Sequence, residues 1–195
     1  MKLDPQIVET FRQGLIDAEA GGVLEPTAMI LSTRHENGDG VSSRTVLLKQ
    51  IDEDGLMFFT NSESNKGRQL QRYPHAALVF LWRQIERQVV IEGQVQTVTA
   101  EEADQYFASR PRGSQIGAWA SQQSRPLASR QVLESRVREV EEEYADQQIP
   151  RPPYWMGYRL APTMVEFWYG RPYRLHDRHR WTLEDGAWRE TRLFP

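Results

Sequence analysis

Chemistry-bearing side chains are concentrated near the C-terminus, in Arg174-Leu175-His176-Asp177-Arg178, which holds two guanidiniums, an imidazole and a carboxylate. On a β-strand alternate side chains share a face, so a strand here would point Arg174, His176 and Arg178 the same way. Three cationic or titratable groups on one face favour an anionic ligand such as a phosphate or a carboxylate. The same pattern also fits an exposed edge strand whose solvated charges prevent edge pairing.

Further anion-binding, amide and aromatic side chains are spread along the chain. Phosphate groups are bound by charge-assisted hydrogen bonds, and flat rings pack against aromatic walls. The inventory therefore suits two phosphorylated aromatic molecules side by side, one a flat cofactor and the other a flat substrate. Its members are Arg44, Lys49, Lys66, Arg68, Gln88, Arg110, Arg112, Ser114, Gln123, Ser124, Trp168, Arg174, His176 and Arg178.

Several common catalytic signatures are absent from the sequence. It has no nucleophile elbow, no phosphate-binding P-loop and no glycine fingerprint of a Rossmann dinucleotide site. Because there is no cysteine, disulfides, thiol nucleophiles and cysteine-ligated metals are excluded. His176 and His179 have a spacing that suits a metal on a helix, but the surrounding residues resemble a strand, and no metal site is predicted.

Composition and charge set the broad class of protein. The 195 residues are 39% hydrophobic and 26% charged, with a net charge of −3, which is typical of one globular domain spanning 1–195. A nucleic-acid binder would usually show a basic surplus. No apolar run approaches the ~18 residues that span a bilayer, and the N-terminus lacks an apolar signal core. We therefore expect a cytoplasmic protein without nucleic-acid or membrane partners.

The elements that position these residues are mostly short strands. Apolar periodicity and turn signals predict helices at 7–20, 64–72, 99–109 and 127–147. Strands are predicted at 27–33, 43–51, 56–60, 76–82, 87–98, 155–160, 163–168, 173–177, 180–183 and 187–193. About ten strands with a few helices suggest a closed or split antiparallel barrel with helical appendages.

Three local features refine this outline. Residues 37–40 are a hairpin turn signal, and Gly93 predicts a bulge or bend within its strand. Thr99 and Glu102 form a capping box. The polar stretch 110–124 fits either a ligand-holding loop or a polar helical connection.

Seven segments together resemble the pyridoxamine 5′-phosphate oxidase family, the FMN enzymes of vitamin B6 metabolism. The similar region extends from about residue 26 to residue 195, and the combination of SRPRGSQIGAW with RLHDR is its most specific part. The segments are SRTVLLK (43–49), FFTN (58–61), ERQVVIEG (86–93), YFASRPRGSQIGAWASQQS (106–124), EFWYG (166–170), RLHDR (174–178) and RLFP (192–195).

The resemblance implies a mainly β fold with α-helices, the FMN-binding split barrel, in which a six-stranded-type antiparallel barrel carries peripheral helices. It implies a homodimer with two FMN molecules at the interface, the segment from about 150 to 195 completing the dimer-associated active site. The implied reaction oxidises pyridoxamine or pyridoxine 5′-phosphate to pyridoxal 5′-phosphate, and O2 reoxidises the flavin and gives H2O2.

The resemblance also implies residue roles. Arg174 and His176 would be catalytic, lying over the pyridine ring to align it and stabilise developing charge. The implied FMN-binding residues are Arg44, Thr45, Val46, Leu47, Leu48, Lys49, Phe59, Thr60, Asn65, Lys66, Gln88, Gln123, Ser124, Trp168 and Arg178. The implied substrate-binding residues are Lys49, Tyr106, Arg110, Ser114, Arg174, Leu175 and His176, the first four of which would hold the substrate phosphate.

Two departures from the family pattern carry expectations. Asn65 stands where relatives usually have arginine, so one cation for the FMN phosphate is lost and Arg68 is the candidate to compensate. Family members commonly carry a longer basic and aromatic N-terminal arm, and without it we expect a less covered substrate. In addition, Arg44 and Lys49 have opposite parity on a regular strand, so serving neighbouring phosphates requires a bulge, a twist or long reach.

Two other functions remain open from the sequence. A relative of phenazine biosynthesis enzymes would keep the fold and FMN but oxidise tricyclic aromatics. A non-catalytic protein that binds FMN or pyridoxal phosphate would need neither Arg174 nor His176, and both are present. Peroxide production with pyridoxine 5′-phosphate would separate these possibilities.

Overall fold

The structure is a computed structural model that describes residues 2–195. The α-helices are α1 (Pro5–Ala20), α2 (Asn65–Arg72), α3 (Ala100–Ser109), α4 (Arg112–Ala120) and α5 (Arg130–Glu143), with 3-10 turns at Arg83–Ile85 and Pro172–Arg174. The strands are β1 (Ala28–Arg34), β2 (Val41–Leu47), β3 (Gln50–Asp52), β4 (Gly55–Asn61), β5 (His75–Trp82), β6 (Arg87–Thr97), β7 (Trp155–Tyr169), β8 (Asp177–Glu184) and β9 (Ala187–Leu193).

The strands form one antiparallel sheet in the order β2-β1-β5-β6-β7-β4-β3, and β8 and β9 extend it from β7. The sheet curls into the predicted split barrel, and the predicted fold class is confirmed. The predicted hairpin turn joins β1 to β2. No helix among residues 2–195 is long and apolar enough to cross a membrane.

The longest strand, β7, has fifteen residues and ties the molecule together. Its first part pairs with β4 and its last part with β8, while β6 runs beside nearly all of it. The ladder shifts register between Glu92 and Gly93, which confirms the predicted bulge. The separate strands predicted at 155–160 and 163–168 are wrong, because Pro162 lies opposite Gly93 and the strand passes through the bulge without ending.

Helix α1 covers the main core. Asp4 caps it by accepting the Gln6 backbone N–H at 2.8 Å, and Phe11 on its buried face packs edge-to-face on Phe80 with ring centroids 4.9 Å apart. Gly14 is required at the crossing, since a Cβ there would lie 2.7 Å from the Trp82 ring. This packing fixes the sheet on which the site is built.

A second, smaller core supports helices α3, α4 and α5. Phe107, Ile116 and Trp155 are its buried centre, and Val137 and Val140 of α5 pack against it, as does Tyr144, which caps the helix. The apolar periodicity that predicted this helix therefore reflects its packing against the smaller core. The helix is shorter than the predicted 127–147, since Ser129 caps its first turn.

The backbone of the stretch 110–124 is mainly helical, because α4 occupies most of it, and a role in holding a ligand stays a prediction. The prediction of one continuous strand over 43–51 is wrong. Strand β2 ends at Leu47 and β3 begins at Gln50, so the strand is interrupted at Leu48 and Lys49. The break removes the parity conflict between Arg44 and Lys49.

The predicted strand 173–177 is also wrong. A 3-10 turn begins at Pro172, and Tyr173 and Arg174 adopt φ values of 60° and 63°. Strand β8 begins only at Asp177. Because of this turn, Arg174, His176 and Arg178 do not form a regular strand face. The prediction failed because alternating side-chain types over five residues cannot distinguish a strand from such a turn.

Candidate functional site

A cavity of about 800 Å³ lies between β2, β4, α2 and the α3–α4 connection. It brings together twelve of the residues predicted from the sequence. These are Arg44, Thr45, Val46, Leu47, Lys49, Phe59, Thr60, Lys66, Tyr106, Arg110, Ser114 and Gln123.

One end of the cavity holds Lys66, in the first turn of α2. Its buried Nζ donates hydrogen bonds to Gln123 Oε1 at 2.8 Å, Thr60 Oγ1 at 3.2 Å and Ser64 Oγ at 3.3 Å. Burial, and then the charge of Arg44, lower the pKa of Lys66 to about 8. All three acceptors are neutral, so the ammonium charge is not compensated by them.

Arg44 lies at the same end and is held in a similar way. Its guanidinium donates to Leu31 O at 3.1 Å, to the hydroxyls of Thr33 and Ser42, and to Gln69 Oε1 at 3.3 Å. Burial lowers its pKa.

Neither Arg44 nor Lys66 forms an ion pair with any carboxylate among residues 2–195. Two neighbouring, partly desolvated cations repel each other, and a dianion placed against both would relieve that repulsion. The donor set at this end therefore fits a phosphate monoester such as that of FMN.

Arg68 does not take the place of the cation missing at Asn65. Its guanidinium donates to Glu36 Oε1 at 3.0 Å and to Asn65 Oδ1 at 2.8 Å, and it does not contribute to the cavity lining described. Ser124 lies nearby and accepts the Asn65 backbone N–H at 3.2 Å. Asn65 and Ser124 thus hold the rim together beside Gln123.

The other end of the cavity is aromatic. Phe59 stacks on both Tyr106 and Trp155, with ring centroids 4.2 and 4.9 Å away, and the Tyr106 and Trp155 rings also stack on each other, with centroids 6.1 Å apart. The Arg110 guanidinium lies over the Trp155 ring, 4.9 Å from its centroid. Its Nη1 is buried without a hydrogen-bond partner among the described residues, and burial lowers the pKa of Arg110. A buried guanidinium nitrogen without an acceptor is costly, so this end also fits an anion.

Arg112 has a different role from Arg110, although the two arginines flank Pro111. Its guanidinium donates to the backbone carbonyls of Tyr144 and Gln147, at 2.5 and 3.1 Å. It therefore ties α4 to the end of α5.

A second group of predicted residues lies outside the cavity. Gln88, Trp168 and Arg178 are direct cross-strand partners on β6, β7 and β8, and we call these three residues the β6–β8 row. His176 packs on Trp168 with ring centroids 4.4 Å apart. Arg174 and Leu175 are exposed in the adjoining turn, and the side chain of Leu48 is buried in the core.

The imidazole of His176 has a defined hydrogen bond. Its Nδ1 accepts the backbone N–H of Arg171 at 3.1 Å. A backbone amide can only donate, so the neutral ring must carry its proton on Nε2. His176 therefore presents Nε2–H as a donor.

The cavity and the β6–β8 row lie at opposite ends of β7. Trp155 at its start lines the cavity, whereas Trp168 near its end belongs to the row. The thirteen intervening steps extend about 40 Å at ~3.3 Å per residue. The residues predicted for one site are thus divided into two groups within a chain.

Sequence reasoning missed several residues that matter for this geometry. Trp155 completes the aromatic wall, and its only signal is its position after the proline-rich connector. Gln69, which holds Arg44, has no signal in the sequence. Glu166 could have been noticed, because an acidic residue between Val165 and Phe167 in an apolar strand requires a partner.

Comparison with known families gives two matches that together cover most of the chain. Residues 16–144 match the family model described as pyridoxamine 5′-phosphate oxidase. Residues 155–195 match the model described as the pyridoxine 5′-phosphate oxidase C-terminal dimerisation region. The second match includes Trp168, Arg174, His176 and Arg178.

Individual relatives agree with the family match. A pyridoxine/pyridoxamine 5′-phosphate oxidase of a Cyanothece species is 49% identical over 194 residues, covering 100% of this chain and 91% of the relative. One of a Synechocystis species is 52% identical over 185 residues, covering 95% of this chain and 86% of the relative.

Two solved structures are similar in fold. PhzG from Burkholderia lata, solved with tetrahydrophenazine-1-carboxylic acid, has a TM-score of 0.92 and 32% identity, covering 99% of this chain and 98% of that one. A protein of Nostoc punctiforme described as related to pyridoxamine 5′-phosphate oxidase and FMN-binding has a TM-score of 0.77 and 17% identity, with full coverage of both chains.

Proposed function

The chain belongs to the pyridoxamine 5′-phosphate oxidase family, and on that premise we propose that it oxidises pyridoxamine and pyridoxine 5′-phosphates to pyridoxal 5′-phosphate. FMN is the cofactor, and O2 is the final acceptor, giving H2O2. The observation that carries the proposal is a single cavity with two separate uncompensated cationic ends and an aromatic wall. Two phosphorylated flat molecules, a flavin and a pyridine, match that arrangement.

We assign the FMN phosphate to the end of the cavity with Arg44 and Lys66. Thr60 and Gln123 already accept hydrogen bonds from Lys66, and both can remain beside a phosphate as neutral neighbours. Bound FMN supplies the redox chemistry, taking two electrons from the substrate carbon that becomes the aldehyde. Its orientation is the task of the protein.

We assign the substrate phosphate to Arg110, with Lys49, Tyr106 and Ser114. Arg110 has a buried donor without an acceptor, which a phosphate oxygen would satisfy. Lys49 and Ser114 are exposed on the same cavity and can reach a ligand from its open side.

We infer that the complete site forms between two copies of the chain. The β6–β8 row and the turn with Arg174 and His176 lie about 40 Å along β7 from Trp155, at ~3.3 Å per residue. The match to a C-terminal dimerisation region supports a homodimer. A partner's row placed over the cavity brings His176 and Arg174 to the pyridine ring, with the flavin at the interface.

In that arrangement His176 acts as a hydrogen-bond donor through Nε2–H, since Nδ1 is occupied by the Arg171 amide. Arg174 supplies positive charge beside it. Together they align the ring and stabilise negative charge that develops on its substituents. No nucleophilic side chain is needed for this chemistry.

The test is peroxide production by purified protein supplied with FMN and pyridoxine 5′-phosphate. We expect yellow protein that releases FMN on denaturation, and peroxide equal to the pyridoxal 5′-phosphate formed. FMN binding without turnover would favour a non-catalytic binding protein instead. A cytoplasmic location stays a prediction.

The structural similarity to PhzG makes a tricyclic substrate the second candidate. Phe59, Tyr106 and Trp155 would accommodate such a ring system. The buried Arg110 donor instead favours a substrate with a phosphate group. Faster peroxide release with a reduced phenazine carboxylic acid than with pyridoxine 5′-phosphate would reverse the assignment.

A further inference from the structure

Glu166 is a buried carboxylate for which the proposed reaction has no direct use. It is 5% exposed and lies three residues before the end of β7, with Val165 and Phe167 beside it buried in the core. Burial acts to raise the pKa of its carboxyl, but hydrogen bonds from Arg178 and Arg180 outweigh burial and hold the pKa below its ordinary value. Glu166 is therefore a charged partner for two arginines.

The contacts between Glu166 and Arg178 fix one guanidinium closely. Arg178 Nε donates to Glu166 Oε1 at 2.8 Å, and its Nη2 donates to Oε2 at 3.2 Å. Its remaining nitrogen, Nη1, donates to the Phe194 carbonyl at 2.9 Å. All three guanidinium nitrogens thus have an acceptor within the chain.

The strand register shows that Glu166 and Arg178 are not direct cross-strand partners. The direct cross-strand partner of Arg178 is Trp168, whereas that of Glu166 is Arg180. The Glu166–Arg178 pair is therefore a diagonal contact, which long side chains can make across neighbouring strands. It holds Arg178 in the β6–β8 row, beside Trp168.

Arg180 shares the carboxylate but not the row. Its Nε and Nη2 both donate to Glu166 Oε2, at 3.0 and 2.8 Å. Since Arg180 pairs with Glu166 two residues further along β8 than Arg178, its loss would disturb the buried carboxylate without removing the bonds from Arg178 to Glu166. Arg180 is thus a built-in control for structural effects.

We propose that Glu166 is a positioning residue for the flavin site, which fixes the Arg178 guanidinium beside Trp168 and compensates part of its charge, since the carboxylate is shared with Arg180. Arg178 then meets the flavin as an oriented hydrogen-bond donor, unlike the uncompensated Arg44 and Lys66 at the phosphate end. The inference rests on the proposed function, because it assigns Arg178 to the flavin of the dimer.

The test measures the FMN dissociation constant and the visible spectrum of bound flavin in the full-length dimer. Glu166→Gln should raise the dissociation constant by about tenfold or more, the effect of losing charge-assisted hydrogen bonds at one guanidinium. Arg178→Gln should do the same, and the double variant should be no weaker than Arg178→Gln alone. Arg180→Gln should bind FMN within about threefold of wild type.

The spectra provide a readout that a purely structural role would not change. Flavin absorption in Glu166→Gln should differ from wild type and coincide with that of Arg178→Gln. Additive losses in the double variant, or an Arg180→Gln loss as large as that of Glu166→Gln, would overturn the proposal. So would an unchanged dissociation constant in folded Glu166→Gln.

Glu166→Asp keeps the test decisive if Glu166→Gln does not fold. It retains the carboxylate but withdraws it by one methylene, so the FMN dissociation constant should rise by about threefold or more and stay below that of Arg178→Gln. Unchanged affinity in Glu166→Asp would refute the positioning role. Wild type that binds no FMN would instead refute the proposed function.

Discussion

The cavity and the β6–β8 row both present arginine, but they treat its charge in opposite ways. In the cavity, Arg44 is held only by hydroxyl, carbonyl and amide oxygens, and its neighbour Lys66 is held likewise. In the row, Arg178 is paired with a buried carboxylate. A charge that is left uncompensated is available to a phosphate, whereas one that shares a carboxylate provides direction with a weaker net attraction.

This comparison explains why the implied FMN-binding residues include both cations without a carboxylate partner and an arginine paired with a carboxylate. The phosphate carries most of the charge of FMN, and the ring is a flat, nearly neutral surface with polar edges. Neutral holders such as Gln69 preserve the attraction where the phosphate is expected. Glu166 weakens the attraction of Arg178 for anions beside the flavin ring, where the direction of the hydrogen bond matters more than charge.

The largest expected effect concerns the substrate end of the cavity. Without a phosphate, Arg110 keeps its unsatisfied buried nitrogen, and leaving a buried charge unpaired costs several kcal/mol. Pyridoxine should therefore be poorer than its 5′-phosphate by roughly 1,000-fold or more in kcat/KM. Arg110→Ala should narrow that ratio at least about tenfold, mainly by slowing the phosphorylated substrate.

Arg112→Ala is the matched control, since that guanidinium donates only to backbone carbonyls near the end of α5. Arg112→Ala should preserve the ratio of kcat/KM between pyridoxine 5′-phosphate and pyridoxine, even if the stability of the protein falls. Equal rates for the two substrates in wild type would remove the phosphate from this site and undo the roles of Lys49, Arg110 and Ser114 together.

The next effect tests the neutral holder directly. Gln69→Glu places a carboxylate where Gln69 Oε1 now lies, 3.3 Å from Arg44 Nη2. The new ion pair should compensate Arg44, so FMN affinity should fall by roughly 10- to 100-fold while the FMN-free protein becomes no less stable. Titration of flavin fluorescence and thermal unfolding measure the two quantities.

Gln69→Met separates charge from shape at the same position. It removes the amide acceptor without adding a carboxylate, so its loss of FMN affinity should be clearly smaller. If Gln69→Glu and Gln69→Met lose FMN affinity equally, the absence of charge on Gln69 does not matter for FMN binding.

A smaller effect follows from the lowered pKa of Lys66. The pKa is about 8 in the FMN-free protein, so above pH 8 the side chain is mostly neutral and FMN binding must take up a proton. FMN affinity should therefore fall as pH rises above 8, by up to about tenfold per pH unit.

The contribution of Lys66 to folding has the opposite sign. Its pKa is lower in the folded protein than its ordinary value of 10.5, so the unfolded chain binds more protons between pH 8 and 10.5. The stability of the FMN-free protein should rise in that window as the buried ammonium is neutralised. Lys66→Arg, which stays charged, should flatten the pH dependence of both FMN affinity and stability. If FMN affinity in that variant changed with pH as it does in wild type, Lys66 would not be the group that binds the phosphate.

Sequence reasoning succeeded where local rules determine structure. The bulge at Gly93 and the capping box at Thr99 and Glu102 are local, and the structure contains both. It failed at 173–177, where the left-handed residues Tyr173 and Arg174 replace a strand. Backbone conformation there depends on the packed turn, which the alternation of side-chain types does not encode.

The candidate site was predictable only as an inventory of residues. The resemblance implied roles for the cavity residues and the row residues, but none for Gln69 or for Glu166, although Glu166 begins the similar segment EFWYG, because each acts through another side chain. The separation of the two groups along β7 follows from strand pairing over long sequence distance. The partner segments Glu166–Trp168 and Arg178–Arg180 become neighbours only once β8 pairs with β7.

The smallest expected effect tests whether the two regions meet across a dimer. The mass in solution should be about twice the 22.7 kDa of the chain. Arg110→Ala disables the cavity but leaves the row intact, and His176→Ala does the reverse. Each variant alone should bind FMN yet turn over slowly.

Mixing the two variants through reversible unfolding should restore activity if the regions come from different subunits. Each mixed dimer then has one site built from two intact regions and one built from two damaged regions. Random pairing makes about half of the dimers mixed, so the mixture should recover about a quarter of wild-type turnover. If the cavity and row of one chain formed a site together, every site would keep one damaged region and mixing would recover nothing. Co-refolding each variant with itself controls for losses in refolding, and a mixture no more active than those samples would place His176 and Arg110 in the same subunit.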